Sequence, residues 1–311
     1  MLKDFEFYGD HVVAKDSGTR IPLTPGLFVD IARGASFVWT IQALKALRAV
    51  KGRAPRAKIA FFPQRPRSYY AIWPVCQLAD VKIVNDPADA DLLFYFEDKA
   101  FLTAPPAPPA LCKDALNIDC YDVRKSRVER VFEETFGYAL AIDPKTYKGE
   151  AVQKSEGNGV HDGRIVTCPL DAPDKTLVYQ RLIDNTIDGA EYFDIRTPIV
   201  GGRIPFVYLK KRWKDRRFSN DNHRVDIATP DDMLTKDEQR NVAKFAAAMG
   251  LDFGGLDILR DRKDGRIYIV DVNKTDMGPP TALSIAGKLW AMRRLAGAFA
   301  AFVDKRLCPD G

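Results

Sequence analysis

Gly255-Leu256-Asp257-Ile258-Leu259-Arg260, the turn Asp261-Arg262-Lys263-Asp264-Gly265, and Arg266-Ile267-Tyr268-Ile269-Val270-Asp271-Val272-Asn273 read in succession as strand, turn and strand. Side chains alternate faces along a strand, so Asp271 and Asn273 share one face while Val270 and Val272 take the other. Across an antiparallel hairpin Asp257 can stand near them. Two carboxylates and an amide oxygen on one face are hard oxygen ligands, a set that suits magnesium held together with phosphate oxygens. A surface hairpin whose polar face meets water would show the same alternation, so the residues around it have to decide.

Working outward, Thr235 to Met249 has helical periodicity with Gly250 past its end, and a long helix is expected from about Pro280 to Val303. Upstream, Ile195 to Val200, the turn Gly201-Gly202 and Ile204 to Leu209 give a second strand pair. Ala151 to Lys154 and Thr176 to Gln180 read as strands, and Lys125 to Phe136 as a helix stopped by Gly137. Toward the N-terminus, Ala35 to Val50 is helical. Lys58 to Phe62, Val81 to Val84 and Asp91 to Phe96 are strands that alternate with helix-like segments, as in a parallel α/β lobe. The proline-rich Thr103 to Pro109 marks a linker, with a boundary near residue 115.

The chain has 311 residues, enough for two or three lobes at roughly 100–200 residues per domain. Its 46% hydrophobic and 29% charged residues argue against wholesale disorder. A net charge of +5 favours anionic ligands without the concentrated basic face of a nucleic-acid binder. No run approaches the about 18 apolar residues of a membrane span, and the first residues lack the apolar core of a secretory signal, so a cytoplasmic location is expected. Five cysteines without a Cys-x-x-Cys pair suggest neither a disulfide framework nor a zinc site, and the three histidines have no mutual ligand spacing.

On these motifs the sequence resembles the ATP-grasp superfamily, within it the branch of glutathione synthetase and protein-glutamylating ligases, from about Lys125 to Gly278. Gly255-Leu256-Asp257 and Asp271-Val272-Asn273 match its closing strands, with aspartate at 271 where the family more often has glutamate. The resemblance implies that Asp257, Asp271 and Asn273 bind magnesium. Asp194-Ile195-Arg196 resembles the Asp-x-Arg strand of that branch, which would put Asp194 near the ribose or a substrate amine and Arg196 near the phosphate or acyl-phosphate. Lys154, followed by a loop with Gly157 and Gly159, resembles the family lysine and the flexible loop that covers the phosphates. Lys125 is the candidate second lysine. A lysine beside such a loop is expected to face solvent when no ligand is bound.

Tyr179-Gln180-Arg181-Leu182 resembles the segment along which the family lays adenine, with Asp184 or Asp188 reaching the ribose. Glutamate is common in the family where Gln180 stands, and an amide oxygen can still accept from the adenine amino group. In the basic run Lys210 to Arg217, the resemblance makes Lys211 or Arg212, with Asn220 beyond it, candidates for contacting phosphates and the acid substrate.

The fold implied is α/β and α+β: an N-terminal Rossmann-like pre-grasp lobe over 1–115, a small ATP-grasp lobe over 116–190, and a C-terminal ATP-grasp lobe with the metal site over 191–311. The activity implied is an ATP- and magnesium-dependent carboxylate–amine ligase. A kinase acting on a hydroxyl and a nucleotide-binding protein without turnover are the alternatives. Expected partners are small-molecule acid and amine substrates or a peptide tail, with a homodimer as the candidate assembly; neither nucleic acid nor a membrane is expected.

Overall fold

A computed structural model describes residues 5–14, 20–49, 54–109, 115–157, 160, 162–187, 189–218 and 222–308. Gly159, Asp188 and Asn220 lie outside the described residues.

Three short strands, β1 (Phe5–Phe7), β2 (His11–Ala14) and β3 (Arg20–Pro22), form an antiparallel sheet that the sequence reading did not anticipate. Helix α1 (Pro25–Ala49) begins ten residues before the Ala35 expected from periodicity. In its first part Phe28, Val29 and Ile31 are exposed, so these apolar residues do not mark a buried face. A parallel sheet follows in the order β5-β4-β6-β7, built from β4 (Ala57–Pro63), β5 (Val81–Val84), β6 (Leu92–Phe96) and β7 (Ala115–Leu116), with α2 (Ile72–Leu78) between β4 and β5. All five residues of β6 are buried, which is why it reads as a continuous apolar run rather than an alternating one.

Helix α3 (Lys125–Phe136) ends at Gly137, whose φ of 76° is the left-handed cap conformation that glycine adopts without a steric penalty. Beyond it lies a small antiparallel sheet, β10-β8-β9, made of β8 (Gly149–Ser155), β9 (Arg164–Cys168) and β10 (Leu177–Arg181). Strands β8 and β10 lie where the sequence places strands, whereas β9 is an edge strand whose largely exposed residues lack apolar alternation.

The largest sheet runs β14-β13-β12-β15-β16, from β12 (Glu191–Val200), β13 (Val207–Trp213), β14 (Arg224–Ala228), β15 (Phe253–Arg260) and β16 (Ile267–Asn273), with β11 (Thr186–Ile187) on β12. Strand β13 extends through the basic run to Trp213, beyond the Leu209 expected. Strand β14 is followed by α4 (Pro230–Met233) and α5 (Lys236–Ala248), the latter started by a Thr235/Glu238 capping box.

One apolar cluster joins α1, α2 and the parallel sheet to the last helix, α6 (Ile285–Leu307), and through Val200, Phe206, Tyr208, Val225 and Phe253 to the large sheet. A second packs α3 and α5 against the other side of that sheet through Ile195, Ile199, Leu256, Ile258 and Val272. No residue of β8, β9 or β10 belongs to either cluster or to the third, smaller one.

Candidate active site

The alternation that buries Ile195 and Ile199 of β12 on the α3/α5 side turns Asp194 and Arg196 to the other face. Register then assembles the rest: Arg196 lies opposite Asp257 and Tyr208, Asp257 opposite Asp271, and Asn273 opposite Gly255. Arg196 donates from Nη1 to Asp257 Oδ2 at 2.7 Å and from Nη2 to Asp276, a residue just past β16. Lys210 Nζ stands 3.4 Å from Asp257 Oδ1, and Asn273 Nδ2 3.4 Å from Asp257 Oδ2. Burial raises the Asp257 carboxyl pKa, but Arg196 and Lys210 outweigh it and hold that carboxyl well below the usual carboxylate range.

Gly255 is required here on steric grounds. A Cβ at this position would lie 2.7 Å from Asp276 Oδ2 and 2.8 Å from Arg196 Nε, so the ion pair crosses directly over the bare backbone.

Asp271 differs from Asp257. Its carboxylate accepts only from the neighbouring Val272 N–H at 3.1 Å and has no ion-pair partner within 4.0 Å among the described residues. Burial, aided by the nearby Asp257 charge, raises its pKa. A half-buried carboxylate without a cation, facing a second carboxylate and an amide, is a donor set that fits magnesium completed by phosphate oxygens. No cluster of three or more His, Cys, Asp or Glu side chains suited to a metal occurs among the described residues, so Asn273 is the third protein oxygen available.

Across from this face, a cavity of about 140 Å³ is lined by Val152, Lys154, Gln180, Arg181, Ile183, Asn185, Asp194, Arg212, Arg217, Phe218, Leu259 and Val270. It therefore brings together Lys154, Gln180, Arg181, Asp194 and Arg212 of the sequence-derived candidates. Asp194 and Arg196 do not pair with each other: Asp194 is bound by Arg212 and by Asn185 Nδ2 at 2.8 Å. The Asn185 Oδ1 and Arg212 Nε atoms are buried without a hydrogen-bond partner. A larger cavity of about 440 Å³ lies away from these residues, against Asp119, Asp252 and Arg306. There Asp252 is already satisfied by the Asn117 N–H at 2.8 Å and by Arg306 at 3.1 Å, leaving little for a ligand.

Several candidates sit differently from the expectation. Lys154 does not face solvent: it is half-buried and reaches the Val270 carbonyl at 3.5 Å, and burial followed by repulsion from Lys125 lowers its pKa to about 8. Lys125 is buried and donates to the Gly157 carbonyl at 2.6 Å, which ties the glycine loop to α3. Lys210, not Lys211, reaches the carboxylates; Lys211 turns to the opposite face and pairs with Asp226 at 3.5 Å. The Arg181 N–H is bonded to the Leu140 carbonyl at 3.0 Å, and its guanidinium reaches the Tyr268 hydroxyl at 2.6 Å. Leu182 is not among the cavity residues, where Ile183 takes its place. Asp184 caps its own turn through the Thr186 hydroxyl at 2.7 Å. Lys210, Asp276, Asn185 and Ile183 were not among the sequence-derived candidates, and only the pairing of β13 with β12, Asp194 opposite Lys210, separates Lys210 from Lys211.

Lys154 supplies a direct prediction. Its folded pKa lies below its ordinary 10.5, so the unfolded chain holds the proton more tightly, and unliganded stability should rise with pH between about 8 and 10.5. An anion bound beside it restores the higher pKa. Nucleotide binding near pH 8 should therefore take up about half a proton, seen as a dependence of calorimetric enthalpy on buffer ionisation that Lys154→Met abolishes. Equal enthalpies in all buffers would remove Lys154 from the anion site.

No family model matches the chain, and no curated protein matches it. Among solved structures, the ATP-grasp ligase PsnB complexed with a phosphomimetic variant of minimal precursor, Mg and ADP aligns with a TM-score of 0.50 at 10% identity, covering 79% of this chain and 98% of that one. D-alanine–D-alanine ligase from Bacillus anthracis complexed with ATP aligns at 0.49 and 13%, covering 82% and 100%. Macrocyclase MdnC bound with precursor peptide MdnA from Microcystis aeruginosa MRC aligns at 0.47 and 13%, covering 78% and 98%. The chain has the ATP-grasp fold. Among the described residues no helix is long and apolar enough to cross a membrane.

Proposed function

We propose that the cleft between the β8–β10 sheet and the large sheet binds ATP with magnesium, and that the chain is a carboxylate–amine ligase acting through an acyl-phosphate. The observation that most supports this reading is the shared sheet face on which Arg196, Lys210, Asp257, Asp271 and Asn273 meet, with Lys154 opposite and no side-chain nucleophile among them. Phosphoryl transfer needs positioning and charge compensation rather than covalent help from the protein.

At about 140 Å³ the cavity is smaller than the roughly 300 Å³ of a whole small-molecule site, so it suits the base and part of the ribose. The unpartnered Asn185 Oδ1 and Arg212 Nε offer one acceptor and one donor for sugar hydroxyls. The phosphates would then run along the sheet face toward Lys154, Lys125 and Arg196. Magnesium on Asp257, Asp271 and Asn273 would neutralise the phosphate oxygens there. A substrate carboxylate oxygen attacks the γ-phosphorus and ADP leaves; an amine nitrogen then attacks the acyl carbon and phosphate leaves. Arg196, fixed by two carboxylates, is pre-aimed at the charge that develops.

Calorimetric titration with magnesium and ATP should give saturable binding and a higher melting temperature. Phosphate release should then appear when amino acids, small acids and peptides are screened, with product mass matching an amide. A product heavier by one phosphoryl group would identify a kinase, and no binding signal at all would end the nucleotide reading.

A further inference from the structure

Gln180 lies on the cleft side of β10, in register with Val152 of β8, and it lines the cavity. Behind it, from the second turn of α3, comes Glu129, buried at 8% exposure. Gln180 Nε2 donates to Glu129 Oε1 at 2.7 Å, and nothing among the described residues donates to Gln180 Oε1. An ionised carboxylate accepts hydrogen bonds and donates none, so it fixes which end of the amide points at it. The NH₂ is turned inward, and the carbonyl oxygen is left for the cavity.

We propose that Glu129 is the positioning residue for base selection: by holding the Gln180 amide with its carbonyl oxygen outward, it makes the cavity accept a purine carrying an amino group at the six-position and reject one carrying a carbonyl there. The proposal rests on the nucleotide reading above and adds to it which residue sets the choice of base. It also explains why an amide stands at 180. A carboxylate there would face Glu129 at hydrogen-bond distance, and two like charges so close cannot both stay ionised.

The arrangement carries its own pH dependence. Burial raises the Glu129 pKa to about 7, against the opposing hydrogen bond from Gln180. The charged groups facing it are Lys154 and Glu156 from β8 and the loop after it, and Lys125 one turn earlier on its own helix; β10 presents only the neutral Gln180. Above pH 7 the carboxylate is ionised and the carbonyl-out orientation is enforced. Below it, the protonated acid can donate to Gln180 Oε1, so the amide can turn and offer its NH₂ to the six-carbonyl of guanine. Titration of Lys154 changes the affinity for both nucleotides alike, so the ratio of affinities isolates Glu129.

The test is calorimetric titration of the full chain with magnesium and either ATP or GTP at pH 6.0 and 8.5, on wild type, Glu129→Gln, and the exchange variant Glu129→Gln/Gln180→Glu. For wild type the preference for ATP should fall by roughly tenfold from pH 8.5 to 6.0, about the worth of one hydrogen bond made or lost in a buried site. Glu129→Gln should show the low preference at both pH values, because an amide can either donate or accept. The exchange variant returns an acceptor to the cavity, held by the amide at 129, and should recover the preference at pH 8.5. A residue with a merely structural role would lower both affinities together, with no recovery on exchange. An unchanged ATP-to-GTP ratio in Glu129→Gln, with ATP still bound, would overturn the proposal while leaving the nucleotide reading intact. Loss of ATP binding by wild type would overturn that reading itself. Should Glu129→Gln fail to fold, a pH-independent ratio in wild type would refute the proposal on its own.

Discussion

Arg196→Met should cost the protein about 3–5 kcal/mol of stability, because it strips the counter-ion from two buried or half-buried carboxylates at once. Asp257 and Asp276 each give one oxygen to the guanidinium, whose side chain is only 9% exposed. Lys210, at 3.4 Å from Asp257, compensates one of them in part; none of the described ion pairs reaches Asp276 from elsewhere. Methionine fills much of the volume, so the loss reports charge rather than a cavity. Chemical denaturation of wild type and variant measures it. A change below about 1 kcal/mol would mean that the pair behaves as a solvated surface bridge.

Asp271→Asn should do the reverse, abolishing turnover while sparing the fold. The substitution keeps the side-chain volume and removes a carboxylate that has no cation of its own and that faces Asp257 across the hairpin. Relief of that repulsion should leave the melting temperature of the unliganded protein unchanged or higher. Phosphate release with ATP and magnesium should fall by about 10²-fold or more, the usual cost of losing a group that stabilises charge developing in the transition state. Near-normal release by a folded variant would take the metal away from this hairpin.

The two predictions draw on parts of the site that were unequally legible in the sequence. The β15/β16 hairpin could be read because alternation of apolar and polar residues on paired strands fixes which side chains share a face, and the register of Asp257 with Asp271 agrees with that reading. Helix α3 was equally plain from its period and its terminal glycine. Alternation fails inside a run such as Lys210-Lys211-Arg212, where every residue is charged, and only pairing with β12 shows that Lys210 and Arg212 point to the carboxylates. Asp276 could not be foreseen because it follows the strand and meets Arg196 by chain reversal. Nothing in the helical period of α3 marks Glu129, which is buried at 8% exposure and accepts from Gln180 of β10.

The unequal sharing of apolar packing has a kinetic consequence. Helix α6 clamps the parallel sheet to the large sheet through one continuous cluster, whereas β8, β9 and β10 contribute nothing to any cluster. The small sheet is attached mainly through polar contacts such as those of Lys125, Lys154 and Gln180. Local opening is cheapest where few apolar contacts must be broken. Backbone amides of β8 and β10 should therefore exchange with deuterium well before those of β12 and β15, and bound nucleotide should slow the first group selectively. The small sheet should then be the part of the molecule that opens most easily, with the rest as the frame against which it moves.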